Sequence, residues 1–122
     1  MLKVMLVEDD QTMVSLLTTL LTMEGFSVRV PSNHFTEGLI NSILKELPDV
    51  TLVDVNLRVG NGLDLVREIR QKSEIKHLHI IMCSGLNLKK ECLKAGADNF
   101  IQKPFMPDEL INLIHATNQI KN

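Results

Sequence analysis

The chain has 122 residues, 44% hydrophobic and 23% charged, which is enough apolar material for one buried core and too little length for a second domain. Thirteen Lys and Arg against fifteen Asp and Glu give a net charge of −2, and the aromatics are four Phe with no Trp or Tyr; neither a nucleic-acid footprint, a polybasic membrane patch nor a base-stacking platform fits. Cys83 and Cys92 are too few for a disulfide scaffold, and no segment reads as a signal peptide or membrane span, so a cytoplasmic chain with no membrane or direct nucleic-acid partner is expected.

Residues 2–7 form a short apolar run that predicts a buried strand. Asp10 then suits a helix N-cap, and Met13, Leu16, Leu17, Leu20 and Leu21 recur at helical spacing until Gly25, with Met23 expected to pack as well. Residues 26–30 predict a second strand, and a helix centred on residues 38–47 stops at Pro48. The almost unbroken apolar run at residues 50–55 predicts a strand covered on both faces, with Asp54 near its C-terminal end. Gly60-Asn61-Gly62 marks a loop, Leu63, Leu65, Val66 and Ile69 a third helix, and residues 79–83 a fourth strand. Residues 88–95 predict a helix closed by Gly96, residues 99–102 the fifth strand, and Pro107 the first turn of a last helix with Asp108 and Glu109 at its positive end.

Five strand-helix pairs in this order predict a doubly wound α/β fold with a parallel sheet and helices on both faces. Such sheets place their chemistry at the carboxyl ends of the strands. Those ends carry Glu8 and Asp9, Asp54, Ser84 and Lys103. Three carboxylates at one low-dielectric edge repel, and the remedies are a raised pKa or a hard divalent cation such as Mg²⁺, the better of the two. A carboxylate so neutralised can attack phosphorus, and Asp54, alone on the central strand, is the candidate nucleophile, with Lys103 and Ser84 on the phosphoryl oxygens.

Several separate motifs then converge: LVEDD at positions 6–10, LVDVNL at 52–57, Gly62 eight residues beyond Asp54, MCSG at 82–85 and AGADNFIQKPF at 95–105. In this order and spacing the chain resembles a receiver domain of a two-component response regulator over essentially all of residues 1–122. The resemblance implies a flavodoxin-like sheet of strand order 2-1-3-4-5, Asp54 as phosphate acceptor, and a signalling phosphoacceptor rather than a turnover enzyme. It implies Mg²⁺ held by Asp9, Asp54 and the backbone carbonyl of Asn56, with Glu8 acting through a water. Ser84 would bond the phosphoryl group, Lys103 would pair with it, and the Lys103-Pro104 bond would be cis. Ser84 and Phe100 would form the switch that remodels the face of the fourth helix, fifth strand and fifth helix. The implied partners are a sensor histidine kinase or histidine phosphotransfer protein, an effector protein, and a second copy through that same face.

Two positions depart from the family pattern. Arg58 stands four residues after Asp54 where many receivers carry Pro, in a loop expected to be loosened by Gly60 and Gly62. Leu86, two residues past Ser84, cannot orient a hydrolytic water, which implies a long-lived phosphoryl state. The competing classes are a haloacid-dehalogenase-like phosphatase, which wants a second Asp where Asn56 stands, and a degenerate receiver used as a phosphorylation-independent scaffold. His34, His77, His79 and His115 are expected at the surface without a shared metal, Cys83 and Cys92 as buried small hydrophobes, and Lys89-Lys90 as a solvated face. If these residues are the native length, such a chain is expected to signal by a protein contact or onward phosphotransfer.

Overall fold

The apolar runs become five parallel strands in a computed structural model that describes residues 1–31, 36–58 and 60–121. In chain order the elements are β1 (Lys3–Val7), α1 (Gln11–Met23), β2 (Ser27–Arg29), α2 (Thr36–Glu46), β3 (Val50–Asp54), α3 (Gly62–Gln71), β4 (His79–Ser84), α4 (Lys89–Ala95), β5 (Asn99–Gln102) and α5 (Pro107–Lys121). The spatial order is β2-β1-β3-β4-β5, a flavodoxin-like doubly wound sheet in which the strand order reverses between β1 and β3. Leu6 pairs with Leu52, and Asp54 with Cys83, so β1, β3 and β4 end side by side.

Period-2 alternation along the strands divides the core in two. Met5, Val7, Val53, Ile80 and Met82 pack on one face against Leu39, Ile40 and Ile43 of α2 and Leu65, Val66 and Ile69 of α3. Val4, Leu6, Leu52, Ile81 and Ile101 pack on the other against Leu17 and Leu21 of α1 and Leu110 and Ile114 of α5. Each such aliphatic, fully buried, contributes about 1.5–3 kcal/mol.

Local chemistry sets the helix ends. The Asp10 carboxylate accepts the Met13 N–H at 3.1 Å, as its N-cap reading predicts. Asn61 caps α3 through the Leu63 N–H at 2.8 Å, and Glu109 accepts the Met106 N–H at 3.3 Å at the start of α5. Leu47, in the left-handed region at φ 47°, ends α2 ahead of Pro48.

Four expectations need correction. Leu16 and Met23 lie on the solvent side of α1, because the buried stripe of that helix is Val14, Leu17 and Leu21. Gly60-Asn61 is not plain loop; it pairs antiparallel with Asn56-Leu57 in a minimal hairpin. Gly62 does not loosen this segment, because a Cβ there would stand 2.2 Å from the Asp54 carbonyl oxygen, and its N–H donates to the Val55 carbonyl at 2.7 Å. His79 is half-buried, its Nε2 2.7 Å from Asn99 Oδ1, whereas His77 and His115 are exposed and His34 lies outside the described residues. Cys83 and Cys92 are buried as expected, and burial pushes both thiols up, Cys92 to about 11, so neither has thiolate character.

At the end of the sheet remote from Asp54, Arg70 of α3 gathers four acceptors. Its Nε donates to the Gly96 carbonyl at 2.8 Å, one terminal nitrogen to the Lys76 and Leu78 carbonyls at 2.7 Å each, and the other to Asp98 at 2.9 Å. Asp98 also accepts the Ile80 N–H at 2.8 Å. Gly96, at φ 122°, leaves the room that this guanidinium occupies, since a Cβ would meet Arg70 Cγ at 2.8 Å.

Candidate phosphoryl-acceptor site

The fold brings the five predicted side chains to one rim. Parallel pairing sets the end of β3 beside that of β4, and β4 beside β5, so Asp54, Ser84 and the residue after Gln102 become neighbours. The Ser84 carbonyl accepts the Lys103 N–H at 2.8 Å, which carries the β5 backbone one step beyond the sheet and turns the lysine toward β1 and β3. Lys103 is followed by a cis bond to Pro104, as the resemblance implies.

Lys103 Nζ lies 2.6 Å from Asp54 Oδ2 and 2.6 Å from Glu8 Oε1. Both carboxylates are buried, Asp54 at 6% and Glu8 at 7% exposure. Burial holds the Glu8 carboxyl above its ordinary range, and the neighbouring Asp54 carboxyl pushes the same way against the partial relief from Lys103. Burial alone would lower the Lys103 ammonium, but its hydrogen bonds to Asp54 and Glu8 outweigh that and raise it, so it remains charged. One cation thus serves two anions. Two buried carboxylates share a single positive charge.

The remaining contacts fix the acceptor's orientation. The second Asp54 oxygen accepts the Asn56 N–H at 3.0 Å, and Glu8 Oε2 turns back to the Asp9 N–H at 2.9 Å. The Asp9 carboxylate accepts the backbone N–H of Arg58, tying β1 to the hairpin. Ser84 is fully buried and its Oγ accepts the Leu86 N–H at 3.1 Å. Phe100 is half-buried against the core beside α3 and α4, with its ring on a boundary between interior and solvent. Leu86, at 66% exposure, and Met106, at 67%, leave apolar surface near the rim.

The donor chemistry suits a hard cation: Asp9, Asp54 and the Asn56 carbonyl offer only oxygen. Among the described residues no three His, Cys, Asp or Glu side chains form a ready cage. A cation here would therefore take two carboxylates and a carbonyl and keep several waters, the hydrated all-oxygen shell that suits Mg²⁺.

Sequence reasoning missed the Arg58 N–H bond to Asp9 and the Arg70 clamp. A backbone donor leaves no mark on residue identity, and an Arg on an amphipathic helix reads as a solvated face. Gly62 did carry a signal, its spacing from Asp54, though not its reason.

Residues 4–115 match the family described as response regulator receiver domain. The transcriptional regulatory protein CpxR of Klebsiella pneumoniae is 37% identical over 115 residues, covering 93% of this chain and 48% of that protein, so the chain spans about half the length of this relative. Chemotaxis protein CheY1 of Helicobacter pylori is 32% identical over 123 residues, covering 96% of this chain and 99% of its own. Among solved structures, the receiver domain of sensor histidine kinase PA1611 from Pseudomonas aeruginosa, with a magnesium ion coordinated in its active-site cleft, has a TM-score of 0.82 at 26% identity and covers 94% of this chain and 95% of its own.

Proposed function

The chain belongs to the response regulator receiver domain family, and on that footing we propose that it takes a phosphoryl group onto Asp54 from the phosphohistidine of a sensor histidine kinase or histidine phosphotransfer protein. The observation that carries this reading is the single Lys103 ammonium shared at 2.6 Å by Asp54 and Glu8.

In the proposed step an Asp54 oxygen forms the new O–P bond as the N–P bond of the phosphohistidine breaks and the imidazole leaves with its electron pair. The Asn56 N–H holds one oxygen of Asp54, which leaves the other, now on Lys103, to attack. Lys103 follows the charge from carboxylate to phosphoryl oxygen, and the Ser84 hydroxyl turns to donate to the same group. Mg²⁺, held by Asp9, Asp54 and the Asn56 carbonyl with Glu8 behind a water, would supply the charge neutralisation that one lysine cannot.

Ser84 lies in β4 and pairs in register with Gln102 of β5, two residues from Phe100. A movement of its hydroxyl toward the phosphate opens space for the Phe100 ring and alters the α4, β5 and α5 face, where an effector protein or a second copy would bind. The chain acts in the cytoplasm as a phosphoacceptor, not a turnover enzyme. The dehalogenase-like alternative loses ground, because Asp54 ends the third strand and Asn56 stands where that chemistry needs an acid.

Incubation with acetyl phosphate and Mg²⁺, read by intact mass, tests the proposal. One added phosphate in the wild type and none in Asp54→Ala is expected. Sustained turnover of phosphomonoesters would replace it with the phosphatase, and no adduct under any condition with the scaffold.

A further inference from the structure

The dipeptide Asn61-Gly62 brings together an exposed asparagine amide and a following residue with no side chain to obstruct attack. Such a pair can cyclise spontaneously. The Gly62 backbone nitrogen attacks Asn61 Cγ, a C–N bond forms, the Cγ–Nδ2 bond breaks, and ammonia leaves with the proton of the attacking nitrogen. Water then opens the succinimide at either carbonyl, giving an ordinary aspartate in place of the asparagine or its iso form, in which the main chain runs through the side-chain carbon.

Two contacts and a backbone angle oppose that attack in the closed hairpin. The Gly62 N–H is committed to the Val55 carbonyl at 2.7 Å. The Asn61 side-chain oxygen accepts the Leu63 N–H at 2.8 Å, which holds the amide over the helix end. The backbone at Asn61 is extended, with ψ 125°, and would have to rotate far to bring the Gly62 nitrogen onto Cγ. The hairpin is further tied to β1 by the Arg58 N–H on Asp9.

We propose that Asn61 is a spontaneous deamidation site gated by the acceptor hairpin: protected while the hairpin is closed and converted whenever it opens. The consequence follows from Gly62. The iso product inserts a main-chain carbon immediately before a residue whose Cβ position is already 2.2 Å from the Asp54 carbonyl oxygen. The start of α3 is pressed onto the carbonyl that ends β3, so a shift of Gly62 in the iso form disturbs the end of β3 and the acceptor with it. The ordinary aspartate product keeps an N-cap oxygen and is tolerated. The effect on phosphoryl uptake rests on the function proposed above; the gating does not.

The test is a deamidation time course on the full chain in mildly alkaline buffer, followed by peptide mapping at Asn61. Conversion in the folded wild type is expected to be at least about tenfold slower than in the same chain in denaturant, since only the locally open population reacts. Asp9→Ala, which removes the acceptor of the Arg58 N–H, should speed the folded rate and leave the denatured rate unchanged. Equal folded and denatured rates, or no effect of Asp9→Ala, would overturn the gate. When the aged sample is treated with acetyl phosphate and Mg²⁺, unmodified chain should gain phosphate and the iso form should not. Uptake by the iso form would overturn the claimed consequence. If no fraction takes phosphate, the phosphoacceptor reading fails while the rate comparison still decides the gate.

Discussion

The Cβ that Gly62 lacks would stand 2.2 Å from the carbonyl oxygen of Asp54, inside any permissible contact with main chain. The start of α3 is therefore pressed directly onto the residue that ends β3. Gly62→Ala must push one of these elements away, at a cost of about 2 kcal/mol. A lowered urea midpoint together with slower phosphate uptake from acetyl phosphate is the expected result; an unchanged midpoint would mean that the helix start has room to give.

Glu8 should make stability depend on pH in an unusual direction. A carboxyl whose folded value is raised favours the folded state fully at pH below its unfolded value, 4.5, and that contribution is lost as pH rises through the folded value. Glu8→Gln removes the ionisation. The variant should be more stable than wild type at neutral pH, with the gap closing as pH falls toward 4.5. Urea midpoints across that range measure it, and a gap independent of pH would point away from Glu8.

Arg70 satisfies three carbonyls and one carboxylate with a single planar group. Arg70→Ala should cost about 2–4 kcal/mol, given the carbonyls left short of donors. Arg70→Lys should recover less than half, because a compact ammonium cannot fork to four acceptors. Equal stability of the Lys variant and wild type would show that charge, not geometry, matters at this position.

Thr51 is fully buried in β3, and its hydroxyl has no hydrogen-bond partner. Thr51→Val keeps the branched shape and removes the orphan oxygen, so a gain of about 1 kcal/mol is expected in equilibrium unfolding. A loss would reveal a partner for that hydroxyl.

Leu86 presents an exposed apolar side chain two residues beyond Ser84, while its own N–H is held by Ser84 Oγ. An amide in its place can orient water toward the acceptor. The aspartyl phosphate of Leu86→Asn should decay several-fold faster than that of wild type, followed by loss of the mass adduct over time; a slower decay in the variant would refute the role given to Leu86.

Much of this architecture was legible from residue order. Among the described residues, hydrophobic periodicity located all five strands of the parallel sheet and all five helices, since Val50–Asp54 reads as strand from its apolar run and Pro107 as a first turn from its fixed φ. The rim residues were legible because strand ends in a parallel sheet share an edge. The relations that depend on distance were not. Glu8 and Lys103 lie 95 positions apart, and the chain alone does not say that they meet at 2.6 Å. Leu16 and Met23 fit the helical period of α1 yet face solvent, because α1 needs only a narrow stripe to cover its share of the sheet. The Gly60-Asn61 segment reads as loop because two-residue pairing has no hydrophobic signature.

Arg70 fastens α3, the start of β4, the end of α4 and the start of β5 at the end of the sheet opposite Asp54, where Lys103 reaches across the gap between β1 and β5 through a single flexible side chain. The base is held by one planar group with four fixed acceptors, and the rim by one ammonium between two carboxylates. On the function proposed above, a phosphoryl group on Asp54 would be felt first along the rim, by Lys103 and Ser84, while the Arg70 end of the sheet keeps its geometry.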